Sequence, residues 1–428
     1  MIIISYFYPP SNFVGGERTA AWARHLNESG IYPIVITRTW NDNQKDLVNP
    51  LNANELTIEK NDCYEVRRLP YNRTLRDKLS KYPALKGLQK AFTLKELIFS
   101  NFFIKSLPYH NFYACAKELI KGGEIKAVIA SGRPFQSFFI GFKLKKEFDV
   151  LWIPDYRDEW TTHKHTEGLG GIHKWINKLE RKSELKWTSN ADTFLTVSDN
   201  WRKSIGNLIG KNGEVVLNGF SDFVEKRVDE TMNNQFVLTY AGTLYSSQNI
   251  SIIIKSCLKL IDSGESIFVR FIGANMMPKE LGRIMSLIKG YESHFEFLDR
   301  MPKEELNKYL NKSDLLFLTA FHDIKGWYPV KLFEYYASGV PILLCPTDDD
   351  QMRDFVKRTN SGFLANSENE CLEVLSSCLK QKKQSGVVAT ERNIAHGVKY
   401  SRQYQAAILG ELIRESLFLL KNRDRGVI

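Results

Sequence analysis

The chain has 428 residues, too many for a single ordinary hydrophobic core, so two domains are expected. Hydrophobic residues make up 43% of the sequence and charged residues 25%, as in soluble globular proteins, and no apolar run reaches the roughly 18 residues that a transmembrane helix needs. The six cysteines show no paired spacing, which argues against a disulfide framework or a zinc site. A cytoplasmic protein is therefore expected.

The net charge of +10 is concentrated in one stretch of the N-terminal half. Residues 67–105 contain ten Lys or Arg and two acidic residues, interleaved with large apolar side chains at helical spacing. This mixture predicts a helix pair lying on an anionic membrane surface, which would make the protein peripheral at the inner face of the membrane. A helical insertion packed on the core is the alternative. A nucleic-acid surface is disfavoured, because it would have more polar neighbours.

The N-terminal half alternates apolar strands with helical patterns, which is typical of a parallel, doubly wound sheet. A polar stretch over residues 221–234 is the best linker candidate. Before it, strands are predicted over residues 2–6, 33–37, 127–131, 150–154 and 193–197, and helices over residues 16–29, 134–147 and 171–190.

The second half of the chain repeats this plan and ends in an amphipathic helix over about residues 401–422. The predicted fold class is therefore α/β, with two Rossmann-like domains facing each other across a cleft and a ligand between the carboxyl ends of their strands. The strands of the second set are predicted over residues 236–241, 268–272, 294–298, 315–319, 341–345 and 362–364.

The helix predicted to start near Pro329 has an unusual charge pattern. It follows an apolar strand, so its first turn lies at a strand carboxyl end, where open α/β sheets bind ligands. Lys331 and Glu334 are spaced i, i+3 and point the same way. A cation there opposes the helix dipole, but phosphate oxygens would justify it, and a carboxylate beside them suits ribose hydroxyls. The pattern predicts a nucleotide-sugar site, with a solvated surface pair as the alternative.

Gly15 and Gly16 follow the first predicted strand and precede a helix. Without Cβ atoms, they let backbone N–H groups approach a phosphate closely. An ordinary tight turn before a helix is the alternative interpretation.

The segment from Asp155 to Trp160 follows another strand end and should open onto the cleft. Arg157 suits a phosphate through its planar fork, Asp158 could accept a proton from an acceptor hydroxyl, and Trp160 could stack on a sugar. The alternatives are a mutual ion-pair network of the charged residues and a buried tryptophan. Arg133, after another strand, is a further candidate.

Several motifs are spread over nearly the whole chain: SYFYPP at 5–10, GGER at 15–18, DYRDEW at 155–160, VS at 197–198 with Trp201, VLNGF at 216–220, YAGTLY at 240–245 and PVKLFEYYASGVPIL at 329–343. In this order and spacing they resemble glycosyltransferases of the GT-B fold, specifically the retaining enzymes of family 4. The resemblance is greatest to bacterial members that build capsule, O-antigen or exopolysaccharide.

The resemblance implies an acceptor-binding domain over residues 1–225, with a basic insertion at 67–112, and a nucleotide-sugar-binding domain over residues 226–398. Residues 399–428 would form a helix that crosses back onto the N-terminal domain. The implied donor contacts are Gly15, Gly16, Gly242, Thr243, Leu244, Tyr245, Lys331 and Glu334, and the implied acceptor contacts are Arg18, Arg133, Asp155 and Trp160.

Taken together, the residue patterns and the resemblance predict a catalytic contribution from Lys331, Glu334, Asp158 and Arg157. It implies no cofactor apart from the nucleotide sugar and no protein-bound metal. His163 and His165 would face one way on a strand, but no third ligand accompanies them.

The chain departs from the family pattern at two places. Glu334 matches the second glutamate of the family's E-x7-E motif, whereas Gly326 occupies the position of the first. The loop at residues 242–249 has no Arg or Lys, although many relatives carry both there to bind the diphosphate. Lys331 is then the nearest motif cation that can stabilise the leaving diphosphate.

The sequence therefore predicts a retaining glycosyltransferase that moves a sugar from a nucleotide diphosphate sugar, with UDP preferred over GDP, to a lipid-linked or saccharide acceptor. Two other functions are considered. One is a nucleotide-sugar 2-epimerase on the same fold, which would need no acceptor. The other is a non-catalytic, membrane-associated partner of another transferase, which would not bind UDP or GDP selectively.

Overall fold

The computed structural model describes residues 1–11, 14–40, 55–162, 170–223, 235–321 and 324–424. The chain divides into two compact units. The N-terminal unit comprises Met1–Asn218 and Arg402–Ile428, and the C-terminal unit comprises Gly219–Ser401. Most of the predicted linker, and the histidines considered as metal ligands (His163 and His165), lie outside the described residues.

The N-terminal unit is built on an eight-stranded sheet with the order β3-β4-β2-β1-β5-β6-β7-β8. All neighbouring strands are parallel except β3 and β4. The strands are β1 (Ile2–Ser5), β2 (Ile34–Arg38), β3 (Thr57–Lys60), β4 (Glu65–Leu69), β5 (Ala127–Ser131), β6 (Leu151–Tyr156), β7 (Phe194–Thr196) and β8 (Gly213–Val215).

Seven helices accompany these strands in the described chain. Their ends follow local chemistry: the Ser198 hydroxyl accepts a hydrogen bond from the Trp201 N–H at the start of α7, and Gly210 ends that helix with φ +66°. The helices are α1 (Val14–His25), α2 (Leu75–Leu79), α3 (Lys86–Ser100), α4 (Asn111–Lys121), α5 (Ser137–Phe148), α6 (Gly171–Thr188) and α7 (Asp199–Ile209).

The C-terminal unit contains a six-stranded, all-parallel sheet with the order β11-β10-β9-β12-β13-β14. All six strands predicted for this half are present. They are β9 (Phe236–Ala241), β10 (Ile267–Ile272), β11 (Phe295–Leu298), β12 (Leu315–Leu318), β13 (Ile342–Leu344) and β14 (Gly362–Leu364). The helices are α8 (Ser251–Asp262), α9 (Pro278–Leu287), α10 (Lys303–Asn311), α11 (Val330–Ser338), α12 (Gln351–Thr359), α13 (Glu368–Ser385) and α14 (Ile394–Gly397).

The last helix, α15 (Arg402–Asp424), returns to the N-terminal unit, as the sequence predicted. Its residues Ala406, Leu409 and Ile413 are buried in the same core cluster as residues of α1 and β1. The side-chain oxygen of Gln405 also accepts a hydrogen bond from the backbone N–H of Leu217 at 2.7 Å. The two-domain α/β fold expected from the sequence is thus confirmed.

The basic stretch differs from its prediction at its start. Arg67 and Arg68 do not belong to a helix but to β4, where they pair with β2 on one side and with the edge strand β3 on the other. Strand β3 was missed because all four of its residues are exposed and show no apolar alternation. The predicted 67–112 insertion therefore begins only after Leu69.

No helix in the described ranges is both long enough and apolar enough to cross a membrane.

A buried ion pair joins distant parts of the N-terminal unit. Arg18 on α1 and Asp155 on β6 lie 3.0 Å apart, and their side chains are 2% and 0% exposed. Asp155 also accepts a hydrogen bond from the Ser131 hydroxyl at 2.8 Å, and Arg18 donates to the carbonyl of Val216. The pair thus connects α1, β5, β6 and the segment after β8.

We expect Asp155→Ala to lower the free energy of unfolding of this unit by about 3–5 kcal/mol, because it leaves the Arg18 guanidinium buried without its counter-charge. An Arg18→Met/Asp155→Leu double variant should lose less, since neither charge remains. Urea unfolding measures both changes.

The exposed pair of Glu118 and Lys121, also 3.0 Å apart, provides the control. Glu118→Gln should cost less than about 1 kcal/mol. An Asp155→Ala cost as small as this would contradict a stabilising role for the buried pair.

Candidate functional site

In the C-terminal unit, the carboxyl ends of β9 and β10 continue into two glycines. Gly242 and Gly273 have φ values of +111° and +79°, which non-glycine residues rarely adopt. Their N–H groups continue the hydrogen bonding of the sheet by one residue, because they donate at 2.8 Å to the carbonyls of Ile272 and Leu298. A Cβ atom built on Gly273 would lie 3.8 Å from the Cβ of Arg300, which follows β11. Backbone without side chains at the carboxyl ends of two strands leaves room for a ligand.

Lys331, in the first turn of α11, lies over this glycine edge. Its Nζ donates to the Tyr240 hydroxyl at 2.8 Å and lies 4.2 Å from the centroid of that ring. A Cβ atom on Gly242 would come within 3.0 Å of Nζ. Burial lowers the pKa of Lys331 to about 7, partly opposed by the charge of Glu334. Within the described chain this ammonium has no carboxylate at ion-pair distance, so an anion would restore its charged form.

Glu334 lies one turn after Lys331 but has a different partner. Its carboxylate lies 3.7 Å from the Nζ of Lys303 at the start of α10, and the two side chains are 26% and 40% exposed. The alternative interpretation, a solvated Lys331–Glu334 surface pair, is therefore not what the structure shows. Sequence reasoning missed Lys303 and Arg300 here, although both follow a predicted strand end, which is the signal that could have found them.

In the loop after β9, the predicted donor contacts differ in how far their side chains are accessible to a ligand. Leu244, predicted as a donor contact, is fully buried in the core of the C-terminal unit, so its side chain cannot meet a ligand. The Thr243 carbonyl accepts a hydrogen bond from the Tyr240 hydroxyl at 3.0 Å, whereas the Tyr245 side chain is 45% exposed.

In the N-terminal unit, Arg157 packs against the start of α1. A Cβ atom on Gly15 would lie only 1.5 Å from its Nη1, and a Cβ on Gly16 would lie 2.9 Å from the Tyr8 Cα. Both glycines are therefore required by close approach rather than by their own φ angles. The Arg157 Nε donates to the Gly132 carbonyl at 2.6 Å.

The carboxylates near Arg157 are engaged elsewhere. Asp155 pairs with Arg18, and Asp158 lies 3.6 Å from Arg133 on the surface. The mutual network considered from the sequence is thus absent from the described residues. Burial lowers the pKa of Arg157, and the charges of Asp158 and Asp155 oppose that change. Arg157 is a partly buried cation that can accept an anionic group.

Three of the predicted acceptor contacts are buried, and for Arg18 and Asp155 this corrects their assignment. Arg18 and Asp155 form the buried ion pair, so they position neighbouring residues instead of facing solvent. Trp160 is 2% exposed because it stacks between Phe135, at 4.8 Å and 5°, and Trp187, at 5.5 Å and 28°.

A cavity of about 230 Å³ lies beside this aromatic stack. Arg133 and an edge of Trp160 both line it, so two of the residues singled out from the sequence meet there. The remaining lining residues are Pro134, Phe135, Gln136 and Glu180. Its mixture of ring surface and hydrogen-bonding groups suits a small polar ligand with an apolar face.

Across the described ranges, no group of three or more His, Cys, Asp or Glu side chains could hold a metal ion.

Comparison with known proteins adds a family match for part of the chain. Residues 235–381 match a family model described as "Glycosyl transferases group 1". This range contains the glycine edge, Arg300, Lys303, Lys331 and Glu334. No curated protein matches the chain.

Solved structures resemble the chain over almost its whole length. Sucrose-phosphate synthase from Thermosynechococcus elongatus matches with a TM-score of 0.64 and 14% identity, covering 98% of this chain and 99% of that chain. Anabaena HepE in complex with UDP and glucose matches with a TM-score of 0.59 and 13% identity, covering 97% and 100%. An α,α-trehalose-phosphate synthase (UDP-forming) from Burkholderia vietnamiensis matches with a TM-score of 0.59 and 10% identity, covering 98% and 99%.

Identities this low show the fold alone, and that fold is GT-B. Together with the family match over the C-terminal unit, they support a glycosyltransferase of this fold.

Proposed function

We propose that this protein is a retaining, metal-independent glycosyltransferase that moves a sugar from a nucleotide diphosphate sugar to a lipid-linked or saccharide acceptor in bacterial surface polysaccharide synthesis. The observation that carries the proposal is the Lys331 ammonium, held over Gly242 at a strand carboxyl end with no carboxylate at ion-pair distance in the described chain. UDP is proposed before GDP because similar structures were solved with UDP.

At the donor end, the chemical requirement is to stabilise charge on the leaving diphosphate. In this proposal Lys331, whose Nζ lies over the bare backbone of Gly242, neutralises that charge. Glu334 accepts hydrogen bonds from the ribose hydroxyls in this proposal. A carboxylate has enough lone pairs to do so while it remains near Lys303.

At the acceptor end, Arg157 holds an anionic group of the substrate with the guanidinium N–H groups that Gly132 does not use. Asp158 orients the acceptor hydroxyl. In the transfer step, the bond between the anomeric carbon and the phosphate oxygen breaks, and the acceptor oxygen bonds to that carbon on the same face. The acceptor proton passes to the departing phosphate oxygen, so no enzymic nucleophile is required.

We expect Lys331→Met to reduce kcat/KM for transfer by at least about 100-fold, because an interaction with the developing charge is lost. Glu334→Gln should mainly raise the KM for the donor. Nucleotide release in the presence of acceptor measures both, and activity should persist in EDTA.

Lys308→Met, an exposed change on α10, is the matched control and should be neutral. Full activity of both Lys331→Met and Glu334→Gln would refute the site. A free epimerised sugar formed without acceptor would instead identify the 2-epimerase.

UDP binding should be coupled to proton uptake. In the free protein at pH 8, Lys331 is mostly neutral, because its pKa is lowered to about 7. A bound diphosphate favours the ammonium and raises this pKa, so binding takes up close to one proton, and UDP affinity falls up to about tenfold per unit as the pH rises above 7.

Calorimetric titration with UDP at pH 8, in buffers of different ionisation enthalpy, measures this proton uptake. Lys331→Met should bind without it. Equal uptake by the variant and the wild type would assign the proton to another group.

We also propose that the helical part of the basic stretch binds an anionic membrane surface. Helices α2 and α3 and the turns around them carry apolar side chains that are 39–60% exposed: Leu75, Tyr82, Leu85, Leu88, Phe99, Phe102 and Phe103. Lysines lie among them; the Lys95 Nζ is 5.7 Å from the Phe99 ring. The apolar side chains suit the acyl chains of a bilayer, and the neighbouring ammonium groups suit its anionic headgroups.

Phe102→Ser/Phe103→Ser should weaken sedimentation with phosphatidylglycerol-containing vesicles at least about tenfold, since two rings no longer insert. Phe418→Ser/Leu419→Ser, an equally exposed pair on α15, is the control. Wild-type binding that does not depend on lipid charge would overturn the membrane proposal.

A further inference from the structure

Helix α6 is buried near its end but leaves two large apolar side chains exposed near its start. Near its end, Trp187 is fully buried and Ser183 is 6% exposed. Near the start of the helix, Ile172 and Trp175 are 54% and 49% exposed, and the helical spacing places Trp175 on the opposite side from the buried Trp187 face. A half-exposed tryptophan is a large apolar surface to leave in water.

The exposed start of α6 extends past the carboxyl end of strand β6. The indole N–H of Trp152, at the start of β6, donates to the Trp187 carbonyl at 3.4 Å, which fixes the end of α6 beside the start of that strand. From Trp187 back to Trp175 the helix rises about 18 Å. From Trp152 to the end of β6 at Tyr156 the strand advances only about 13 Å. Trp175 therefore lies beyond the carboxyl end of β6.

Exposed cations surround this apolar pair. They are Lys174, Lys178, Arg181 and Lys182, and none of them forms an ion pair with a described residue. The one acidic side chain among them, Glu180, faces the cavity that Arg133 and Trp160 line. Tryptophan, isoleucine and a set of lysines on one helix end match the interfacial layer of an anionic bilayer.

The segments that carry the two exposed apolar surfaces both follow parallel strands of one sheet. Helices α2 and α3 follow β4, and α6 follows β6, and these strands are parallel members of one sheet. Both segments therefore begin at the carboxyl edge, which also carries Arg157. Two separate contacts on one rigid unit would strengthen binding beyond either alone and fix its orientation.

We propose that the first half of α6, centred on Ile172 and Trp175, is a second contact with an anionic lipid bilayer. The inference rests on the proposed membrane association of the N-terminal unit and extends it to a separate helix. Glu180, which lines the cavity, lies about 7.5 Å along the helix from Trp175 and on the other side of it.

The test uses the full chain and vesicles of phosphatidylcholine with or without phosphatidylglycerol. We expect Ile172→Ser/Trp175→Ser to lower the partition coefficient for anionic vesicles at least about tenfold, because both side chains lose their apolar environment. Trp175→Phe should retain most of the binding, and Phe418→Ser/Leu419→Ser should leave it unchanged. Circular dichroism and thermal unfolding establish that each variant is folded.

Brominated lipid provides a second readout. It should quench more tryptophan fluorescence in the wild type than in Trp175→Phe, because Trp175 would then contribute to the quenched emission. Equal quenching, wild-type partitioning of the serine variant, or binding that ignores lipid charge would each overturn the proposal.

UDP binding is measured on the same samples. Vesicle binding without UDP binding would refute the proposed transferase and leave the bilayer contact standing. UDP binding without vesicle binding would refute the bilayer contact and leave the proposed transferase standing.

Discussion

The buried ion pair of Arg18 and Asp155 sets the geometry of the part of the N-terminal unit where Gly15 and Arg157 meet. Arg18 lies one turn after Gly15 on α1, and Asp155 lies two residues before Arg157 at the end of β6. Joining the two charges holds the start of the helix against the end of the strand. Gly15 and the Arg157 guanidinium are then in contact as a consequence. Two fully buried charged residues thus position the partly buried guanidinium of Arg157.

Both units use a glycine to make room for a cation. Arg157 occupies the space that a side chain on Gly15 would fill, and Lys331 lies where a Cβ atom of Gly242 would approach it. Each cation also has a neutral oxygen partner, a carbonyl for Arg157 and a phenol for Lys331. Such partners hold position without cancelling charge, so the attraction for an anion is retained.

The apolar periodicity predicted the sheets well, because buried parallel strands are nearly continuous in hydrophobic residues. Lys331 and Glu334 were found for the same reason, since a strand end followed by a helix start is visible in sequence. The partners that Asp155 and Trp160 contact could not be predicted from the sequence. Asp155 selects Arg18, which is 137 residues away, and Trp160 is buried by a stack that includes Trp187. These contacts depend on three-dimensional packing that local spacing does not encode.

The discontinuity of the N-terminal unit has a consequence for biosynthesis. Its core includes Ala406, Leu409 and Ile413, which leave the ribosome after the entire C-terminal unit has been made. The C-terminal unit is one continuous segment and can fold while translation proceeds. The first-made half must instead wait with part of its apolar core uncovered until α15 emerges. For the nascent chain, the period of greatest exposure to aggregation and to chaperones therefore belongs to the half that was synthesised first.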